Sequence, residues 1–167
     1  RHPRRTRPHY GNSRKPLKPM KQLIITNNPK TAEYIERQSK TRNSSTKADT
    51  SNSGAETVTP NNTLETADIE LIFCASRDEL YTRVRDHIHR NWKLQNHAMY
   101  GNIQLHKQPY RSMVLAEGTE LDTRSLQLWE QAMERVQRNN PPSYPEKVLE
   151  DFQALDFSLF KSIVFRA

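Results

Sequence analysis

Four glycines in 167 residues exclude a glycine-rich cradle for phosphate, and neither a P-loop nor a GxGxxG stretch is present. The single cysteine, Cys74, rules out a disulfide framework or a cysteine metal centre within the chain, and points to a reducing compartment. No HExxH, CxxC or GxSxG pattern occurs, so the sequence offers no recognisable metal site, nucleophile elbow or cofactor motif. No apolar run approaches the roughly 18 residues that span a bilayer. The basic N-terminus lacks the apolar segment of a secretory signal, and Pro3, Pro8, Pro16 and Pro19 prevent the amphipathic helix of a transit peptide. The expectation is a cytoplasmic protein without cofactor, metal or membrane partner.

The net charge of +7 is unevenly placed. Residues 1–19 hold Arg1, Arg4, Arg5, Arg7, Arg14, Lys15 and Lys18 without one acid, so this arm carries the entire excess and the remainder is neutral. It reads as a disordered basic arm, with Met20 opening the structured chain. Nucleic-acid binding would therefore be confined to residues 1–19. Residues 41–66, rich in Ser, Thr and Asn, cannot bury enough apolar surface to offset ordering entropy and read as a flexible insertion.

The remaining segments predict a single domain over residues 20–167. Leu23, Ile24 and Ile25 mark a short buried strand, and Asn28 is placed to cap a helix from Pro29 to about Lys40. A second strand over Ile69 to Ala75 is apolar on both faces at Leu71, Ile72 and Phe73, as in a central strand. Ser76 and Glu79 form a capping box, and Leu80, Val84, Ile88 and Trp92 give the buried stripe of a helix reaching Leu94. Short strands are expected near Asn102 to Leu105 and Ser112 to Ala116, either as separate strands or as a hairpin. A helix follows from Thr123 to Arg138, capped by Asp122. A short helix over Glu146 to Phe152 leads into an apolar tail that must dock on the domain or mediate homo-oligomerisation. The order predicts an α/β fold of two or three layers, with a small, mostly parallel sheet and flanking helices.

The residues with chemical potential cluster after the second strand. Arg85, Asp86 and His89 lie three and four apart on a helix, where a carboxylate can orient an imidazole and a guanidinium can take a carboxylate ligand. His97 and Tyr110, from the following loop, would complete a pocket over that surface. Asn27 and Asn28 add free backbone N–H groups at a helix start, an arrangement that suits an anion. His87 and His89 point apart, against chelation of one metal. A solvated salt-bridge network on a surface helix accounts for the same residues without any ligand.

Several of these stretches together resemble the GrdX family, small proteins encoded with the glycine, sarcosine and betaine reductases of anaerobic bacteria. The matching residues are Ile25 to Pro29, Arg85, Asp86, Ile88, His89, Lys93, Leu94, His97, Gly101, Pro109, Tyr110, Leu121, Asp122, Ser125, Leu126 and Val148 to Gln153. The family pattern carries Gly-His where this chain has Asn91 and Trp92, and His-Pro where it has His97 and Ala98. The resemblance implies a bacterial accessory protein of reductive amino-acid fermentation, binding a small carboxylate or a reductase component, with no catalytic apparatus carried over. The contrasting expectation is an RNA- or DNA-binding protein acting through the basic arm.

Overall fold

Gln22–Thr26 forms β1, and all five of its residues are buried because strands cover both its edges and helices both its faces. The computed structural model describes residues 21–45, 68–97 and 104–164; the basic arm and most of the expected insertion lie outside them. Helix α1 (Pro29–Ser45) follows β1, then β2 (Ile69–Phe73), α2 (Arg77–His89) and β3 (Trp92–Leu94). A 3-10 turn at Leu105–Lys107 precedes β4 (Ser112–Glu117), α3 (Thr123–Gln137) and α4 (Glu146–Val164).

The four strands form one sheet in the order β2-β1-β4-β3. β1 pairs with β2 in parallel, while β4 is antiparallel to both β1 and β3. The sheet is therefore mixed, not mostly parallel as the sequence suggested. β1, β2 and β3 do run the same way, as alternating strands and helices demand, but β4 enters between β1 and β3 in reverse. β2 lies at an edge, paired only with β1 among the described residues. Phe73 is 51% exposed, and the apolar content of β2 serves both faces of an edge strand: Ile72 packs on one core layer, Ile69 and Leu71 on the other.

Side-chain alternation along the two central strands divides the core into two layers. Leu23, Ile25, Met113 and Leu115 meet Leu80, Tyr81, Val84 and Ile88 of α2 and Trp129 and Ala132 of α3. Ile24 and Val114 point the other way, onto Ile35 of α1 and Phe160 and Val164 of α4. Three layers result, with α2 and α3 on one face and α1 and α4 on the other.

Local chemistry sets the element ends. Ser76 Oγ accepts from Glu79 N at 3.1 Å, and the Glu79 carboxylate accepts from Ala75 N at 2.9 Å, so the predicted capping box closes one residue ahead of the cap. Asp122 accepts from Ser125 Oγ and from Ser125 N at 3.2 Å, and the hydroxyl first, then the N–H, hold its carboxyl below the usual range. Helix α2 stops at His89 rather than Leu94 because Asn91 turns left-handed at φ 71°. Trp92 sits four residues after Ile88 and packs on the same cluster from strand β3, so its spacing imitated a further helical turn. Asparagine tolerates the left-handed region better than most residues. At Gly118 a Cβ would lie 2.5 Å from the Asn91 carbonyl oxygen, so only glycine lets these two segments approach.

The other expected boundaries shift outward. Helix α1 continues through Ser45, and Leu105–Lys107 is a 3-10 turn, while Asn102 and Ile103 of the expected strand lie outside the described residues. The expected short C-terminal helix runs on to Val164 as 19 residues, carrying the apolar tail into the chain's own core. Phe160→Ala should therefore destabilise the protein by about 3–5 kcal/mol in urea unfolding of the full chain. A change below about 1 kcal/mol would place α4 off the domain.

Candidate functional site

Because β1, β2 and β3 share a direction, their C-terminal ends and the start of β4 form a common edge. Open α/β sheets commonly bind ligands outside this edge, where successive helices depart to opposite faces. Here α1 leaves β1 for one face and α2 leaves β2 for the other. The edge carries Asn27, Asn28, Asn96, Gln108, Arg111 and Ser112, all buried.

On the α1/α4 side the centre is Asp156, 4% exposed although it carries a carboxylate. Asp156 Oδ1 accepts from Ser112 N at 3.1 Å; its Oδ2 accepts from Ser112 Oγ at 2.7 Å and Asn28 Nδ2 at 2.9 Å. Thr26 and Thr31 hydroxyls lie 2.8 and 2.9 Å from the same Ser112 oxygen. Hydrogen bonds to a carboxylate are among the stronger ones, and they offset the cost of burying it. Asn28 also accepts from Lys30 N at 3.1 Å, which is the helix cap read from the sequence. Asn27 spans the β1 and β4 ends, donating to Pro109 O and accepting from Arg111 N, each at 2.8 Å. On the far side of β4, Asn96 bonds Ser112 O at 3.0 Å and Val114 N at 2.8 Å, closing the short β3 end.

The opposite side of the edge is cationic. Arg111, 1% exposed, precedes Ser112 and by strand alternation faces the α2/α3 layer, where its charge acts on the Tyr81 hydroxyl. Burial is the larger influence on Tyr81 and pushes its hydroxyl up to about 12. Arg77, in the first turn of α2, donates through one nitrogen to His106 O at 2.9 Å and Gln108 O at 3.4 Å, and stands 5.8 Å over the Tyr81 ring. It lines a cleft of about 260 Å³ together with Asp78, His106, Lys107, Pro109 and Tyr144. Tyr144 closes the cleft by donating to Lys107 O at 2.9 Å, its ring resting on Phe152.

The residues singled out in the sequence fall into two groups. Asn27, Asn28, His97 and Tyr110 share the sheet edge; Asn27 and Asn28 spend their amides internally, Tyr110 is half-buried and His97 exposed. Arg85 and His89 lie on the exposed side of α2, about 12 and 18 Å along the helix from its start, so the two groups do not form one pocket. Arg85 pairs with Glu130 of α3 at 2.6 Å. Asp86 and His89 are both exposed and make no hydrogen bond or ion pair with each other among the described residues. His87 bonds Arg83 O at 2.7 Å and packs edge-on against Trp92. No group of three or more potential metal ligands occurs among the described residues, nor a helix long and apolar enough to cross a membrane.

Arg77, Arg111, Ser112 and Asp156 were not singled out in the sequence. Two of them left a signal. Asp156 interrupts the apolar stripe Phe152, Phe160, Val164 at a four-residue interval, and Arg111 directly precedes the apolar run of β4.

Residues 56–165 match the family model described as GrdX-like protein. The chain belongs to the GrdX-like protein family. No curated protein and no solved structure matches it. Membership of the GrdX-like family fits an association with glycine-reductase-type metabolism in general. The matched span takes in β2 through α4 and thus both Arg111 and Asp156, while β1 and α1 precede it.

Cys74 ends β2 at this edge, fully buried, its N–H donating to Thr26 O at 2.8 Å. Desolvation is the main cause that raises the thiol to about 11, so it stays protonated and unreactive at neutral pH. Iodoacetamide at pH 8 should leave native protein unmodified and label the urea-unfolded chain. Because the folded value is raised, its contribution to stability is complete below pH 9 and lost as pH rises toward 11.

Proposed function

We propose that this GrdX-like protein is a cytoplasmic accessory protein of reductive amino-acid metabolism in a fermenting bacterium, binding a small amino-acid-like zwitterion for a reductase component. The observation that carries the reading is that a cation, Arg77, and an anion, Asp78, line the same cleft over the α2 start. Two main-chain carbonyls hold the Arg77 guanidinium, so little side-chain freedom remains to be lost on binding. A carboxylate can be received by the remaining guanidinium N–H groups and by Lys107, while the Asp78 carboxylate suits an ammonium. Pro109, Pro141 and Pro142 supply apolar walls and Tyr144 an aromatic one, which suits N-methyl groups as well.

Of the seven residues named from the sequence, Asn27, Asn28, His97 and Tyr110 lie at this edge. Arg85, Asp86 and His89 are better suited to a protein contact on the outer face of α2. The described residues assemble no nucleophile with a base, which favours binding over catalysis.

Calorimetric titration of the full chain with glycine, sarcosine and betaine tests the reading. Saturable binding of at least one, weakened about tenfold or more by Arg77→Ala, is expected. No heat with any of the three, or equal affinity in the variant, would overturn it. A second reading rests on the net charge of +7, all of which lies in residues 1–19. If that arm binds RNA or DNA, deleting residues 1–19 should abolish a salt-dependent shift of a labelled oligonucleotide.

A further inference from the structure

We propose that the open edge of β2 is a self-association surface, on which a second copy of this chain adds its own β2 antiparallel and joins the two sheets across a two-fold axis. The surface is separate from the Arg77 cleft and does not depend on it. β2 runs in register with β1, Asp68 O accepting from Gln22 N and Cys74 N donating to Thr26 O, each at 2.8 Å. Main-chain groups of successive strand residues turn to opposite edges, so Asp68, Glu70, Ile72 and Cys74 serve β1. The N–H and C=O groups of Ile69, Leu71 and Phe73 face away from it, and no further strand pairs there among the described residues. Such an edge is a template for another strand.

The residues along the edge fit a copy of themselves. With a two-fold axis at Leu71, this residue meets its own copy and Ile69 meets the partner's Phe73. Every outward residue then faces an outward residue, and each pair can exchange two N–H···O bonds. Their side chains share the α1/α4 face of the sheet, where Ile69 and Leu71 are half-buried and Phe73, at 51%, is the most exposed large apolar side chain among the described residues. Paired, they form one apolar row. On the other face Glu70 falls opposite the partner's Ile72, so no like charges are directly opposed, and Lys21 already pairs with Glu70 at 2.9 Å. β2 carries neither proline nor lysine, the residues that commonly block edge pairing.

Two short strands bury less than the roughly 1,200 Å² of a stable interface, so the dimer is weak and concentration-dependent. Sedimentation velocity of the full chain from about 1 to about 200 μM, a range suited to such an interface, should show reversible monomer–dimer exchange. Hydrogen exchange over the same range should slow at the amides of Ile69, Leu71 and Phe73 as the dimer fills. Phe73→Lys should keep the fold and weaken dimerisation about tenfold or more, because the two-fold axis repeats the loss at both ends. A monomer throughout would overturn the proposal, and slow exchange of the three amides in that monomer would mean that the chain covers its own edge. A dimer whose edge amides exchange no more slowly, or one that Phe73→Lys leaves undiminished, would place the contact elsewhere and overturn it too. If Phe73→Lys fails to fold, sedimentation and exchange of the parent chain decide alone.

Discussion

One buried carboxylate organises the sheet edge that holds the candidate site. Asp156 comes from the last helix and bonds to the main chain and side chain of Ser112 at the start of β4. It also bonds to the Asn28 amide at the start of α1. Three elements distant in sequence thus converge on one group. A carboxylate excluded from water is tolerable only with its acceptor sites filled, so each partner is needed for the others to be buried. Fixing Ser112 in turn fixes Arg111 beside it, and strand alternation sends that cation to the opposite face of the sheet.

The edge consequently has two characters. On the α1/α4 side the polar groups are spent on one another, and the asparagines that follow β1 work as struts. On the α2/α3 side some polar groups are less internally engaged. Arg77 keeps guanidinium N–H groups facing a cleft, and Tyr81 and Trp129 have polar atoms that the described protein leaves unsatisfied. A self-satisfied half supporting a half with open donors is the arrangement expected of a binding site, where rigidity in the supporting shell preserves geometry in the other. Membership of the GrdX-like family fits an association with glycine-reductase-type metabolism in general, and the matched span includes Asp156.

Much of the fold was legible because local signals were strong. The Ser76 to Glu79 capping box, the Asp122 cap and the apolar stripes of α2 and α3 each placed an element near its observed position. What failed involved non-local choices. No periodicity reveals that β4 will insert antiparallel between β1 and β3, and this one choice made the sheet mixed. Trp92 satisfied a helical interval while sitting in a strand, since the deciding residue was Asn91 with its left-handed turn. The site was less legible than the fold. Histidines and charges on α2 drew notice because side-chain spacing within one helix can be read from sequence. Arg111 and Asp156 acquire their roles only when strand order brings the end of the chain onto its first strand.

The claim that Asp156 is the hub of this edge is tested most directly by a double-mutant cycle. Unfolding free energies of Asn28→Ala, Asp156→Ala and the double variant should give a coupling of about 1–3 kcal/mol, the single losses overlapping because both break the same buried network. Losses that add to within about 0.5 kcal/mol would contradict the account, and would mean that Asn28 and Asp156 act independently.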